Sequence, residues 1–335
     1  MRYAYILILC VLPLCTTAQE WEDRQVFEGQ GATRTLRVIS STDLFYFEPI
    51  ISSFLARNPE TSVEYLVTGT SEISTIVQAD PDQYDLVVSS AMDLQFKLAN
   101  DGYALEIPGM GQPEWAHWHH SLFAFTTEPA AIVINRAAFA GRDLPRTRQA
   151  LIQALRSRPD FFRNRIGTYD VRRSGVGYLF ATQDARVSET YWRLMEVMGS
   201  LNVRLYCCSG EMIDDVANGT IAVAYNVLGS YASARIDDQD SIEVILPSDF
   251  PTTMMRTVFV SKSTAHPETA VAFVRHLVEL QSGKLGNNNT SLPPLTTDLD
   301  SAPSSVIAIE PALLTYLDRL KRQTFIDEWE SAIIQ

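Results

Sequence analysis

The stretch Leu36-Arg37-Val38-Ile39-Ser40-Ser41-Thr42-Asp43 joins a short apolar run directly to hydroxyl and carboxylate side chains. Its β-branched and aliphatic residues predict a buried strand. Residues 44–57 then place apolar side chains at helical spacing, and Ser, Thr or Asp just before them is typical of a helix N-cap. Because the first N–H groups of a helix have no partner within it, the loop predicts either a simple helix cap or a site for a polar ligand.

The same order of strand, small polar loop and helix recurs twice in the first third of the chain. Residues 62–67 predict a second strand that ends in the loop 68–72, and residues 84–88 predict a third strand. In an open parallel sheet such loops meet at the carboxyl ends of the strands, where these sheets bind ligands. From this part of the chain we predict the ligand-binding residues Ser40, Ser41, Thr42, Asp43, Thr68, Thr70, Ser71, Glu72, Ser89 and Ser90.

A second α/β half follows a predicted crossover near Glu128-Pro129. Within it, residues 170–178 follow a strand, open a helix and carry Arg172 and Arg173. Because the guanidinium fork matches carboxylate and phosphate groups, we expect at least one of these arginines to face the site, although pairing with acidic neighbours is the alternative. The further predicted binding residues are Arg172, Arg173, Ser174, Gly175, Tyr178, Cys208, Ser209, Tyr225 and Asn226, with Arg256 on the segment that returns to the first half.

The N-terminus predicts export. Arg2 precedes an apolar run, and small residues at 16–18 predict a secretory signal peptide, residues 1–18, that is cleaved after Ala18. The expected location is therefore the periplasm, and only Cys207 and Cys208 would remain in the mature chain. These adjacent cysteines predict either a vicinal disulfide or two buried thiols.

Composition limits the classes of function. The chain has 335 residues, of which 46% are hydrophobic and 20% charged, which is typical of a globular protein of about two domains. A net charge of −13 without a basic patch argues against nucleic-acid binding. The sequence has no nucleophile elbow, no HExxH helix and no Walker loop, so we expect no enzyme activity and no cofactor. A secreted hydrolase is the alternative that the serine-rich loops leave open.

Five segments together carry a family resemblance: residues 36–43, 68–72, 173–178, 218–222 and 260–267. In these segments the chain resembles extracytoplasmic solute-binding proteins of ABC transporters, in the ferric-iron-binding and hexose-phosphate-binding group with the type 2 periplasmic binding protein fold. The resemblance implies an α/β fold of two lobes, each a mainly parallel sheet flanked by helices, with two crossover strands as the hinge.

The same resemblance implies how the chain is divided into lobes and which kind of partner it binds. We assign residues 33–128 and 252–335 to lobe 1 and residues 129–251 to lobe 2. The implied partner is a membrane ABC permease or the sensor domain of a histidine kinase, and we expect a monomer.

The ligand was predicted from the resemblance and from the polar loops together. Iron-binding members place two adjacent tyrosines where this chain has Gly229-Ser230, with only Tyr231 beside them. Ferric iron prefers oxygen anions, so iron is kept only as an alternative and no metal site is predicted. The three histidines within residues 117–120 lack accompanying carboxylates and predict a surface loop of lobe 1. Hydroxyl-lined loops, helix N-termini and arginines instead predict a small anionic metabolite, phosphorylated or carboxylated.

Overall fold

The computed structural model describes residues 20–236, 241–285, 290–295 and 305–334, so the predicted signal peptide lies outside the described residues. The strands are β1 (Asp23–Phe27), β2 (Arg34–Ser40), β3 (Thr61–Val67), β4 (Leu86–Ser89), β5 (His117–Trp118), β6 (Leu122–Ala124), β7 (Glu128–Asn135), β8 (Ile166–Tyr169), β9 (Arg204–Tyr206), β10 (Val223–Leu228), β11 (Ile242–Ile245), β12 (Thr253–Met254) and β13 (Thr257–Val260).

The α-helices connect these strands and cover the sheets. They are α1 (Leu44–Leu55), α2 (Glu72–Ala79), α3 (Met92–Asn100), α4 (Arg148–Ser157), α5 (Pro159–Phe162), α6 (Gly175–Val187), α7 (Thr190–Ser200), α8 (Ser209–Ala217), α9 (Gly229–Ile236), α10 (Pro267–Gln281) and α11 (Arg319–Ile333). Within the described part of the chain, no helix combines the length and the apolar character that crossing a bilayer requires.

The first sheet has the strand order β1-β3-β2-β4-β13-β6-β5. Strand β2 lies at its centre and pairs in parallel with β3 and β4, so that Val38 is opposite both Tyr65 and Leu86. Leu36, Val38 and Ile39 are fully buried because helices cover both faces of the sheet. The predicted strand at residues 36–39 is therefore the middle of lobe 1.

The second sheet has the order β11-β7-β10-β8-β9, with β12 pairing with β7. Both sheets are mixed. In the second, β8 pairs in parallel with β9 and β10, whereas β7 pairs antiparallel with β10 and β11. In the first, β13 pairs antiparallel with β4 and β6. The parallel parts are those that carry the predicted polar loops. The chain crosses from the first sheet to the second at the start of β7, where Glu128 is paired with Met254 of the returning strand β12. The observed architecture is thus two α/β lobes joined by crossover strands.

Strand β1 extends lobe 1 beyond its predicted start at residue 33. It pairs antiparallel with β3, from Asp23 opposite Val67 to Phe27 opposite Val63. Its side chains are mostly exposed, since it forms an edge of the sheet and is held by backbone hydrogen bonds. The sequence therefore has no apolar alternation there to predict a strand.

Helix α11 packs with lobe 2, although it falls in residues 252–335, which the sequence assigns to lobe 1 together with residues 33–128. The helix packs on α7 of lobe 2, and Phe325 and Trp329 are buried in the core of that lobe together with Tyr191. Phe325 also lies beside Trp192, with the ring centroids 5.4 Å apart. The apolar side of α7 requires a cover, and this distant segment of the chain provides it.

Candidate functional site: the cleft between the lobes

A cavity of about 560 Å³ lies between the two lobes. Lobe 1 contributes the loops after β2, β3 and β4 together with the residues at the start of β1. Lobe 2 contributes the ends of β8 and β10 and the beginnings of α6, α8 and α9. The carboxyl ends of the parallel strands therefore face each other across the cavity, as expected for ligand sites in such sheets.

Three loops of lobe 1 meet at the cavity in the way the sequence predicts. The Ser90 N–H donates to Ser41 Oγ at 3.1 Å, and the Ser41 and Ser89 hydroxyls are 3.4 Å apart. These bonds tie the loop after β2 to the loop after β4. Of the ten residues predicted in these three loops, five line the cavity: Ser41, Asp43, Thr68, Thr70 and Ser90.

The other five predicted residues of these loops do not line the cavity, and most of them support its wall through hydrogen bonds. Ser40 Oγ accepts hydrogen bonds from the Tyr65 hydroxyl at 2.7 Å and from the Thr42 N–H at 3.0 Å. Glu72 Oε2 accepts one from Thr68 Oγ1 at 2.6 Å. Ser89 Oγ accepts one from the Ala91 N–H at 3.1 Å, and Ser71 donates to a backbone carbonyl of lobe 2. Ser40, Thr42, Ser71, Glu72 and Ser89 therefore support the site indirectly.

In lobe 2 the loop between β9 and α8 forms the facing wall. Cys207 and Cys208 form a vicinal disulfide there, which is the first of the two predicted alternatives. Ser209 Oγ accepts a hydrogen bond from the Leu228 N–H at 3.2 Å and shares one with the Tyr169 hydroxyl at 2.5 Å. Cys208 and Ser209 thus line the cavity as predicted.

Arg172 and Arg173 do not line the cavity, contrary to the prediction that at least one of them would. The Arg172 guanidinium donates to Asp170 at 2.7 Å and to Glu330 of α11 at 2.9 Å. Arg173 is exposed, and its backbone carbonyl accepts a hydrogen bond from the Ser71 hydroxyl. Arg172 therefore pairs with acidic neighbours, which is the alternative that the sequence left open.

Arg256, another predicted ligand contact, does not line the cavity either. Its side chain is fully buried in the hinge. Nε and Nη2 donate to the two oxygens of Glu128 at 2.8 and 3.1 Å, and Nη1 donates to Thr42 Oγ1 at 2.6 Å. With its donors directed at protein oxygens, this guanidinium is not available to an anion in the cleft.

Tyr225, Asn226 and Tyr178 are directed into lobe 2 and away from the cavity. The Tyr225 hydroxyl donates to Asp184 at 2.6 Å, and Asn226 Nδ2 donates to the same carboxylate at 3.0 Å. The Tyr178 hydroxyl donates to the Tyr316 carbonyl at 2.6 Å. Buried polar partners take up these groups, and none of the three residues lines the cavity, so their predicted role in ligand binding has no support from the cavity lining.

The lobes touch each other around the cavity through direct hydrogen bonds. The Gly175 N–H of α6 donates to Thr70 Oγ1 at 2.8 Å, and the Asp43 N–H donates to the Tyr231 hydroxyl at 3.2 Å. Ser174 caps α6 by accepting from the Gly177 N–H at 3.2 Å. Gly175 therefore takes part in contact between the lobes, Ser174 caps α6 within lobe 2, and neither lines the cavity.

Carboxylates dominate the charge of the cavity. Burial raises the pKa of Glu22, and the negative charges of Asp43, Glu72 and Glu211 raise it further. Among the described residues no lysine or arginine lines the cavity, although Arg235 pairs with Asp214 at 3.0 Å. The carboxylates that line it are Glu22, Asp23, Asp43, Glu211 and Asp214.

Local sequence pattern does not reveal most of these carboxylates, for identifiable reasons. Glu22 and Asp23 reach the cleft only because β1 adds to the edge of the sheet. Glu211, which was not predicted, lies in the first turn of α8, and the predicted Glu72, which lies outside the cavity lining, is in the first turn of α2. In both places the negative charge complements the helix dipole. The positive ends of these helix dipoles, which favoured an anion site, are thus partly neutralised by carboxylates of the chain itself.

The described residues contain no group of three or more His, Cys, Asp or Glu side chains arranged to hold a metal ion. The predicted histidine loop is the turn of the β5–β6 hairpin in lobe 1, where His117 and His120 stack with their ring centroids 5.0 Å apart.

Comparison with known proteins identifies relatives by structure. No protein-family model matches the chain, and no curated protein matches it. The substrate-binding protein of an ABC transporter from Agrobacterium tumefaciens is 30% identical, with 93% of this chain and 98% of that chain covered and a TM-score of 0.85. The periplasmic binding protein AfuA from Actinobacillus pleuropneumoniae, with fructose-6-phosphate bound, is 13% identical over 90% of this chain and 99% of that one, with a TM-score of 0.71. Iron-bound HitA from Pseudomonas aeruginosa is 15% identical over 89% and 99%, with a TM-score of 0.68. The last two share the fold of this chain.

Proposed function

Because this chain belongs to the substrate-binding proteins of ABC transporters, we propose that it captures a small solute between its lobes and delivers it to a membrane permease. The membership confirms the resemblance predicted from the sequence, and the two mixed sheets match the two-lobe fold of the type 2 periplasmic binding proteins. We place the protein in the periplasm and assign it no catalytic step. A histidine kinase as a second partner stays a prediction from the sequence.

The observation that carries the proposed ligand class is the set of carboxylates around the cavity. The arginines on which the anionic prediction depended lie elsewhere, whereas Glu22, Asp43 and Glu211 face the same space. A bound anion would add negative charge to this partly buried group, while a cation would relieve the mutual repulsion. We therefore propose a ligand with a positively charged group in place of the predicted phosphorylated or carboxylated metabolite.

The size and the lining of the cavity favour an organic cation over a metal ion. A volume of about 560 Å³ falls in the range of small-molecule sites, which is about 300–1,000 Å³. Tyr169, Tyr231, Leu44 and Val67 add aromatic and aliphatic surface to the carboxylates. An amine with a hydrocarbon segment matches both parts of this lining.

Isothermal titration calorimetry with two probes of opposite charge, 1,4-diaminobutane and glucose 6-phosphate, tests the ligand class. We expect the diamine to bind and the sugar phosphate not to bind. Glu211→Gln should weaken diamine binding by about ten-fold, as expected for the loss of one charge-assisted hydrogen bond. Glu48→Gln is the matched control, because Glu48 is exposed on α1 and does not line the cavity.

The same titration at lower pH adds a second test. Since the pKa of Glu22 is raised, this carboxylate takes up a proton earlier than an ordinary glutamate as the pH falls. Diamine affinity should therefore decline toward acidic pH, and Glu22→Gln should reduce that decline. Binding of glucose 6-phosphate in preference to the diamine would contradict the proposed class and restore the anionic prediction.

A further inference from the structure

The Cys207–Cys208 disulfide is a covalent element of the cleft wall. Both cysteines line the cavity, on the side opposite Ser41, Thr68 and Ser90. They occupy the short loop between Tyr206, the last residue of β9, and Ser209, the first residue of α8. Any ligand that fills the cavity is therefore adjacent to this pair of sulfur atoms.

The backbone on either side of the disulfide is fixed independently of it. On one side the Asp170 N–H donates to the Tyr206 carbonyl at 2.8 Å, and the Tyr206 hydroxyl donates to Asp215 at 2.6 Å. On the other side Ser209 is bonded to Tyr169 and Leu228. Breaking the disulfide should therefore rearrange the loop locally and leave the lobe folded.

The disulfide also controls where the two sulfur atoms lie. Cys208 has an extended backbone, with φ −135° and ψ 148°. In extended backbone, successive side chains point to opposite sides, whereas a bond between the sulfurs holds both on one side. The oxidised pair has no S–H donor and presents a polarisable, largely apolar surface. After reduction, one thiol is free to turn away.

We propose that the Cys207–Cys208 disulfide contacts the hydrocarbon part of the cationic ligand, and that its reduction weakens ligand binding. This inference rests on the proposed function. A dithiol supplies the two electrons and two protons of the reduction: the Cys207–Cys208 bond breaks, two thiols form, and the dithiol closes into its own disulfide. An oxidising compartment would keep the protein in the form that binds.

The redox state is tested first, by mass spectrometry of the tryptic peptide 205–235 from the full chain. This peptide contains Cys207 and Cys208 and no other cysteine. Without reductant we expect it to be two hydrogen atoms lighter than the dithiol form and to resist alkylation. Two alkylated thiols in protein purified from an oxidising compartment would overturn the proposal.

Ligand binding is then compared by calorimetry with 1,4-diaminobutane for the oxidised protein, the protein reduced by dithiothreitol, and the variant Cys207→Ser/Cys208→Ser. We expect about ten-fold weaker binding by the last two, equivalent to about 1.4 kcal/mol. Dithiothreitol should not change the affinity of the double variant, which controls for effects of the reductant itself. Equal affinity of the oxidised and reduced proteins would overturn the inference.

Failure of the proposed function can be distinguished from failure of this inference. If the oxidised protein binds glucose 6-phosphate and not the diamine, the ligand class is wrong, and the same comparison with glucose 6-phosphate decides the role of the disulfide. If neither probe binds, amide hydrogen exchange of residues 68–70 across the cavity decides it. Faster exchange of these residues after reduction supports an effect of the disulfide on the cavity, and unchanged exchange overturns the inference.

Discussion

Arg256 and Glu128 form a two-pronged ion pair that is fully buried where the chain crosses between the lobes. Thr126 donates to the same carboxylate at 3.0 Å, and Ser230 of lobe 2 donates to its second oxygen. Burial alone would raise the pKa of Glu128, but the Arg256 charge and these hydrogen bonds outweigh it and lower the pKa. The pair therefore joins segments of both lobes around the hinge.

Breaking this pair should be costly. Arg256→Met leaves the Glu128 carboxylate buried without its counter-charge, and we expect a loss of about 3–5 kcal/mol in the free energy of unfolding. Urea denaturation followed by circular dichroism measures it. The double variant Glu128→Gln/Arg256→Met should recover part of the loss, because no buried charge remains.

A surface pair provides the matched control for this experiment. Lys97 and Asp101 are one helical turn apart and partly exposed, so Lys97→Met should change stability by less than about 1 kcal/mol. Similar losses for Arg256→Met and Lys97→Met would show that the hinge pair is not a major source of stability.

The two adjacent arginines of lobe 2 should behave differently from each other. Arg172 pairs with Glu330 and lies over the Trp329 ring at 5.7 Å, so Arg172→Ala should loosen the attachment of α11. Amide hydrogen exchange of residues 319–333 should accelerate. Arg173→Ala should change the affinity for either calorimetric probe by less than about 1 kcal/mol, because an exposed charge is screened by solvent. A large loss of glucose 6-phosphate binding in Arg173→Ala would instead identify an anion site.

Gly177 allows α6 to approach the cleft wall. A Cβ at this position would lie 2.3 Å from Tyr169 Cβ and 2.7 Å from Tyr169 Cγ. Gly177→Ala should therefore destabilise the protein by about 1–3 kcal/mol, the usual cost of overpacking. Because Tyr169 lines the cavity, diamine affinity should fall as well.

Gly210 is the control for a glycine within a helix. A Cβ there meets only the end of the Arg235 side chain, at 3.6 Å, so Gly210→Ala should be neutral or should stabilise α8 by up to about 1 kcal/mol. If Gly177→Ala stabilises the protein to the same extent in thermal unfolding, the close packing of α6 on Tyr169 is refuted.

His276 makes stability depend on pH. It is buried against Phe54, its Nε2 has no hydrogen-bond partner, and burial, followed by the charge of Arg57, lowers its pKa to about 4. In the unfolded chain the pKa returns to an ordinary value of about 6.5. Below that pH the unfolded state binds the proton first, so the contribution of His276 is fully present above about pH 6.5 and is lost progressively toward pH 4.

Urea denaturation at about pH 7.5 and about pH 5 measures this effect, which we expect to reach about 2 kcal/mol at the lower pH. His276→Leu removes the titrating group and should make the difference between the two pH values smaller by that amount. An identical difference in His276→Leu and the wild-type protein would assign the pH dependence to other groups.

The sequence alone predicted the features of the site that depend on local pattern. The apolar run Leu36 to Ile39, the hydroxyl loops after three strands and the helices behind them follow from side-chain periodicity and helix capping. Ser41, Thr68, Thr70 and Ser90 line the cavity for that reason. The two-lobe fold was predicted from the repeated units of strand, polar loop and helix, together with the family resemblance of their motifs.

Only the tertiary structure decided the charge of the site. Whether an arginine faces a ligand depends on its partners. The partner of Arg256 is 128 residues away, and of the two carboxylates that hold Arg172 one is two residues away and the other 158. Glu22 enters the cleft through an exposed edge strand that local hydrophobicity does not reveal. Local periodicity determines where strands and helices form, whereas ion pairing and burial depend on contacts between distant segments. Those contacts place the carboxylates at the cleft and the arginines away from it.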